Sequence, residues 1–320
     1  MIPYSPGKPI DEVKRELGLE TVVKLASNEN PLGPSPKAVD AIRRAAADVN
    51  SYPDGAAFDL RKAISDKFGV PTSQILIGSG SEELIQNLGL IFLEPGDEVI
   101  AANPSFVRYR SAAQLSNAKL VEVPLDADLR HDLPKMLAAI TPRTRLIFVC
   151  NPNNPTGTIW REEDMRQLAD LLAGTDILLL SDEVYEHMVY DGQRHESVSR
   201  HPELARRSFV VSSFGKTYHV TGWKVGYVAA PAALMNEFRK VHQFNVFTVN
   251  TPVQYGLAQY MTDPAPYLNL SAFYQAKRDF FRAGLAGTRF KLLPSDGTYF
   301  QCVDYSAISD MSEADFAMWL

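Results

Sequence analysis

Cysteine is scarce in this chain: Cys150 and Cys302 are the only two among 320 residues, and they form no CxxC pair. That excludes a disulfide framework and a cysteine-based zinc site, and both side chains read as small buried hydrophobes. His131, His187, His195, His201, His219 and His242 show no metal-ligand spacing either, so no metal is expected. Long apolar runs are also missing. None approaches the ~18 residues of a membrane span, and Met1-Ile2-Pro3-Tyr4-Ser5-Pro6 lacks the charged and then apolar regions of a signal sequence. A cytoplasmic protein without a membrane partner is expected. Positive charge is in deficit, with 32 Lys and Arg against 38 Asp and Glu for a net −6. The two signs are interspersed, which argues against a nucleic-acid surface.

What is present is ordinary for a globular chain: 45% hydrophobic and 22% charged residues, enough for a sizeable core. The length exceeds the ~150 residues of a typical domain, which points to one large and one small domain. Ser35-Pro36 reads as an N-cap followed by proline at the first helical position, opening a helix to about Val49. A turn follows at Tyr52-Pro53-Asp54-Gly55. Short apolar runs then alternate with amphipathic stretches: Gln74 to Ile77, then Ser81 to Leu93; Glu98 to Ala101, then Ser105 to Leu115; Arg145 to Cys150, then Glu162 to Leu172; and Ile177 to Leu180. This alternation predicts an α/β fold with a mostly parallel sheet covered by helices on both faces. Such sheets bind ligands beyond the carboxyl ends of their strands. After Pro231 the pattern turns helical, over Ala232 to Phe244, Thr251 to Met261 and Pro266 to about Leu285. Arg289 to Leu293 and Tyr299 to Val303 read as strands of a second domain, and Ser312 to Leu320 as a helix capped by Ser312.

Four strand ends carry candidate chemistry. Ser213-Phe214-Gly215-Lys216-Thr217-Tyr218 sets an amine on a hydroxyl-rich loop, with Lys224 eight residues on. An amine there can form an imine with an aldehyde, and the hydroxyls and second cation suit a phosphate; two surface lysines on a strand-loop-strand are the plain alternative. Gly78-Ser79-Gly80-Ser81-Glu82-Glu83 joins a strand to a helix, where free backbone N–H groups favour an anion. It lacks the third glycine of a dinucleotide fingerprint and the Walker lysine, and a simple helix start remains open. In Asn151-Pro152-Asn153-Asn154-Pro155-Thr156-Gly157 the prolines and glycine fix a loop that holds the Asn154 amide where it can donate to an anionic oxygen. Leu178-Leu179-Leu180-Ser181-Asp182 ends an apolar strand on a carboxylate that needs a cationic partner, such as a protonated pyridine. Tyr185 follows three residues on, and Phe106 stands where it can stack on a ring or join the core.

In this order, Gly80-Ser81, Phe106, Asn154, Asp182, Tyr185, Ser213, Lys216 and Lys224 resemble the cofactor constellation of the aspartate-aminotransferase-like pyridoxal phosphate enzymes. The resemblance covers nearly the whole chain. It implies a seven-stranded large domain (32–263), an N-terminal arm with part of a small domain (1–31), and a small α+β domain (264–320). It implies pyridoxal 5′-phosphate as cofactor, with Lys216 as internal-aldimine lysine and proton shuttle and Asp182 holding the pyridine nitrogen protonated. Asn154 and Tyr185 would bind the ring hydroxyl oxygen, Phe106 the ring face, and Gly80, Ser81, Glu82, Ser213 and Lys224 the phosphate end. Lys224 stands where arginine is frequent in the family.

Lys24 to Pro36 and Ser51-Tyr52-Pro53-Asp54-Gly55 resemble histidinol-phosphate aminotransferases, in which the tyrosine at Tyr52 reaches the partner subunit's cofactor phosphate. This implies a homodimer with shared sites. From about Leu178, through Ser213 to His219 and Gly297-Thr298-Tyr299-Phe300, the chain resembles methionine and kynurenine-type aminotransferases. The activity implied is ping-pong transfer of an amino group from histidinol phosphate, methionine or an aromatic amino acid to a 2-oxo acid. A β-lyase or decarboxylase of the same fold, or a non-catalytic cofactor-binding module, is the alternative. The family also carries a carboxylate-gripping arginine near the end of its small domain, and none matches here: Arg282 and Arg289 read as surface charges. The small domain is therefore expected to be truncated.

Overall fold

The structure is a computed structural model that describes residues 7–320. The signal-sequence reading of Met1 to Pro6, and the first six residues of the expected arm, lie outside the described residues. Seven strands form one sheet: β1 (Ile75–Gly78), β2 (Glu98–Asn103), β3 (Lys119–Pro124), β4 (Thr144–Cys150), β5 (Leu178–Asp182), β6 (Ser208–Ser213) and β7 (Gly226–Ala229). Their spatial order is β1-β7-β6-β5-β4-β2-β3. All neighbours pair in parallel except β7, which runs antiparallel to both β1 and β6. The mostly parallel sheet expected from the alternating pattern is present.

Strand side chains alternate between two apolar layers, as a period of two requires. Leu146, Phe148 and Cys150 of β4 face one cluster, with Leu84, Leu88, Tyr109 and Phe238 from the helices above. Ile147 and Val149 face the opposite one, with Met165, Leu168 and Leu172 of the helix Glu162–Leu172. With both faces covered, the polar groups at the strand ends are left positioned to meet a ligand.

Helix Pro36–Ala45 is capped as expected, Ser35 Oγ accepting from the Ala38 amide at 3.2 Å. The segment expected as one helix from Pro266 is two, Ala265–Leu268 and Leu270–Leu285, parted at Asn269, a weak helix former. The helix expected from Ser105 begins at Arg108, because Pro104-Ser105-Phe106 is spent on the turn that carries Phe106 to the strand ends.

β3 escapes the apolar pattern because it is a half-exposed edge strand. The carboxyl-terminal strands shrink to a ribbon of β8 (Lys291–Leu292) and β9 (Val303–Asp304). Leu293 still donates to Cys302 at 3.1 Å, but Asp296 to Thr298 pair elsewhere. The Gly157 carbonyl accepts from both Asp296 (3.0 Å) and Gly297 (2.8 Å), and Thr298 donates to Met188 at 2.9 Å. A Cβ on Gly157 would come within 2.6 Å of the Gly297 carbonyl oxygen, and Gly157 has a φ of +73°, so this junction requires glycine. Helix Glu313–Trp319 is N-capped by Ser312, as expected.

Phe209 sits fully buried at the centre of the layer above the sheet, 5.0 Å from the Phe92 ring and 6.0 Å from Phe238. Phe209→Ala should cost about 3–5 kcal/mol, read as a lowered urea midpoint at unchanged m-value.

Candidate active site

A cavity of about 320 Å³ opens at the carboxyl ends of the parallel strands and the amino end of β7. Gly80, Ser81, Glu82, Phe106, Asn154, Asp182, Tyr185, Ser213, Lys216 and Lys224 all line it. Ten of the eleven residues singled out in the sequence thus converge on one place. The eleventh, Tyr52, is 91% exposed and lies away from the cavity, against Phe247 at 6.2 Å.

Each side chain is set by its strand end. Gly80 adopts φ +84° and ψ +170°, a region open essentially to glycine alone. It turns the chain into helix Ser81–Phe92, whose first amides have no acceptor within the helix and face the cavity mouth. Glu83 does not reach the cavity. Its carboxylate accepts from the Ser79 amide at 2.9 Å and from the Asn87 side chain, bracing the turn from below. The Glu82 carboxylate instead holds two cations, Lys224 at 3.3 Å and Arg108 at 3.7 Å. Ser213 Oγ caps the short helix Phe214–Thr217 by accepting from the Gly215 amide at 3.2 Å, which leaves its own proton free to donate.

The three asparagines after β4 divide their work. Asn151 donates to the Glu196 carbonyl (2.7 Å) and accepts from the Trp160 amide (3.1 Å), and Asn153 donates to the Pro104 carbonyl. Only Asn154 lines the cavity. The Asp182-Glu183 pair is split in the same way, the two carboxylates pointing to opposite sides of the strand. Glu183 is fully buried beside Ser181 Oγ (2.7 Å), and burial pushes its carboxyl up to about 8. Asp182 faces the cavity, and burial pushes its carboxyl up to about 6. Burial also raises the Tyr185 phenol.

Lys216 is half-buried, and its Nζ donates to the Asn28 carbonyl at 2.6 Å. Desolvation lowers its amine to about 8; Lys224 pushes the same way, while Glu29 opposes it. The Tyr299 hydroxyl donates to the same Asn28 carbonyl. Tyr299 and Phe300 pack edge-on to Tyr185, at 5.4 and 5.5 Å, so the Gly297-Thr298-Tyr299-Phe300 segment forms an aromatic wall beside the cavity.

Several contributors escape a sequence reading. Asn28 acts through its backbone carbonyl, which no side-chain pattern reveals. Tyr109 donates to Asp182 at 3.0 Å from one helical turn beyond Phe106, a spacing that could have flagged it. Arg282 is a correction. It is half-buried and tied to the Leu293 carbonyl (3.1 Å) and Gln301 (2.8 Å), bracing the β8–β9 ribbon where a surface charge was expected. Arg289 is exposed as expected, and among the described residues no arginine lines the cavity. No group of metal-ligating side chains is found among the described residues, and no helix there is long and apolar enough to cross a membrane.

Residues 20–318 match the family of aminotransferases of class I and II. The chain belongs to this family. It is a transaminase, a class that exchanges an amino group between an amino acid and a 2-oxo acid. It is 42% identical over 270 residues to the methionine aminotransferase of Escherichia coli K12, covering 82% of this chain and 70% of that protein. It is 36% identical over 297 residues to the histidinol-phosphate aminotransferase of Moorella thermoacetica, covering 93% of this chain and 76% of that one. An Escherichia coli crystal structure for which a methionine aminotransferase function was identified superposes with a TM-score of 0.89 at 36% identity, over 100% of this aminotransferase and 88% of that chain. The N-succinyldiaminopimelate aminotransferase of Mycobacterium tuberculosis follows with 0.88 at 30% identity, over 97% and 83%.

With its amine lowered to about 8, Lys216 is neutral in a larger fraction at pH 8 than an ordinary lysine of pKa about 10.4. In the cofactor-free protein, amine-selective labelling should therefore reach half its limiting rate near pH 8 at Lys216 and at least about a unit higher at surface lysines. Peptide mapping across a pH series checks this.

Proposed function

We propose that this aminotransferase holds pyridoxal 5′-phosphate in the cavity at the strand ends and takes methionine or an aromatic amino acid as its amino donor. The convergence of Lys216, Asp182, Asn154 and Tyr185 on one cavity carries the cofactor reading. The donor set fits the group at three points. A lowered amine suits an aldehyde. A buried carboxylate with no cation beside it suits a protonated ring nitrogen. The free amides at Ser81 and Glu82, with Ser213 Oγ and Lys224 Nζ, suit a phosphate. Lys224 offers that phosphate a point charge where arginine would offer a fork. When bound, the cofactor supplies a carbon that accepts the donor's amino group and a ring that draws off the electrons left at the donor's α-carbon. The protein's part is to position and to move protons. Asn154 and Tyr185 orient the ring through its hydroxyl oxygen, Phe106 covers a face, and Lys216 Nζ accepts the α-proton as a base working near its own pKa. Donor and 2-oxo acid use the cavity in turn.

The aromatic wall of Tyr185, Tyr299 and Phe300 supports an apolar or aromatic donor side chain. Lys216 and Lys224 are the only cations lining the cavity among the described residues, and this reading assigns both to the cofactor. Histidinol phosphate, with a second phosphate to neutralise, is the less favoured donor. We also read the protein as a cytoplasmic homodimer. Tyr52, Phe58, Phe244 and Phe247 are all exposed, with Tyr52 against Phe247, and this reading has a second copy cover them, bringing Tyr52 of each subunit to the phosphate end of the other's cavity.

Single-donor half-reactions followed by cofactor absorbance test this reading. Methionine and phenylalanine should convert the cofactor faster than histidinol phosphate; the reverse order would overturn the donor assignment. Borohydride should fix the cofactor to Lys216, and attachment at any other lysine overturns the site. Asp182→Asn should slow the methionine half-reaction at least ~10²-fold at saturating cofactor.

A further inference from the structure

We propose that Tyr109 is a positioning residue for Asp182: by donating its hydroxyl proton to Oδ2, it keeps that carboxylate a weak base with Oδ1 free toward the cavity. The inference rests on the reading of Asp182 as the partner of the cofactor's ring nitrogen, and adds to it a residue that touches neither cofactor nor substrate.

Tyr109 stands on the first turn of helix Arg108–Leu115 and is 1% exposed. Its ring lies flat on Phe148 of β4, centroids 4.4 Å apart and planes 8° from parallel, and meets the Phe106 ring edge-on at 5.8 Å. A phenylalanine would make the same stacks. The hydroxyl is what needs explaining, since burying one without an acceptor costs free energy. Its acceptor is Asp182 Oδ2 at 3.0 Å, a bond between β5 and a helix reached only after the turn beyond β2. Asp182 Oδ1 has just a long 3.4 Å contact from the Val184 amide, so it retains capacity for a partner entering the cavity.

A hydrogen bond donated to a carboxylate lowers its proton affinity. Burial raises the Asp182 carboxyl, and the Tyr109 hydroxyl is the largest effect opposing that rise. The remaining neighbours cannot replace it. The Cys150 thiol is held protonated by burial, its pKa pushed up to about 12, and Glu183 on the other side of the strand raises Asp182 rather than lowering it. When Asp182 and a pyridine nitrogen share a proton, the weaker base yields it. Tyr109 therefore favours the proton on the ring, where it strengthens electron withdrawal. The same side chain touches the aromatic that covers the ring face, so charge and stacking are set from one position.

The test is a double-mutant cycle of Tyr109→Phe and Asp182→Asn on the holoenzyme. It is read by the resonance of a cofactor ¹⁵N-labelled at the ring, by the cofactor Kd, and by the methionine half-reaction. Alone, Tyr109→Phe should keep the thermal midpoint, move the ring resonance toward the neutral pyridine, raise Kd, and slow the half-reaction about tenfold at unchanged donor KM. In the Asp182→Asn background it should add less than about twofold, because an interaction already removed cannot be lost again. An equal penalty in both backgrounds would mark Tyr109 as a packing residue and overturn the proposal, as would an unmoved ring resonance. If Asp182→Asn itself leaves the resonance and rate intact, the reading of Asp182 fails first and this inference falls with it. Should Tyr109→Phe not fold, 3-fluorotyrosine at 109 keeps the shape with a stronger donor; loss of ring charge in that protein would overturn the proposal.

Discussion

The whole site depends on a carboxylate held out of water. Asp182 ends a strand in a sheet whose two faces are both covered, so its charge meets little solvent. A buried anion is tolerable only with hydrogen bonds and a cation. The fold supplies part of the former, through Tyr109 and the Val184 amide, and leaves the latter to a guest. Much of the surrounding architecture keeps this arrangement dry: Phe148 and Tyr109 on one side, Tyr185 and its aromatic neighbours on the other.

Lys216 answers the same constraint with opposite sign. Desolvation lowers a lysine as it raises a carboxylate, so one physical cause shifts both groups toward the roles the proposed function gives them. Neither shift needs an unusual residue. Both follow from placing ordinary side chains at the ends of strands that the hydrophobic layers bury.

Much of this is legible in the sequence because strands, turns and strand-end chemistry leave local patterns. The run Leu178 to Leu180 followed by Asp182 announces a buried strand ending in charge, and the prolines around Asn154 announce a fixed loop. Gly80, between a strand and a helix, announces a tight turn into a helix. What stays hidden is non-local. The half-exposed strand Lys119–Pro124 shows no apolar run, because an edge buries little. The expected strand from Tyr299 is shortened because the residues just before it, Asp296 to Thr298, spend their backbone amides on Gly157 and Met188, a choice made by residues more than a hundred positions away. Arg282 reads as a surface charge because nothing near it in sequence shows the carbonyl of Leu293 waiting as its acceptor. Tyr109 draws no reading of its own: only its place one helical turn beyond Phe106 hints at the site, and nothing local shows that its hydroxyl meets Asp182.

One carbonyl ties three distant stretches of chain. Asn28 accepts from Lys216 and from Tyr299, so the arm, the loop of Lys216 and the carboxyl-terminal wall meet at a single oxygen. The amine that latches the arm is the same one the cofactor reading engages. Under the proposed function a lysine so engaged would leave the Asn28 carbonyl to Tyr299 alone. On that same reading, occupancy at the bottom of the cavity would then be felt at a surface segment, where proteolysis or hydrogen exchange would read it from outside.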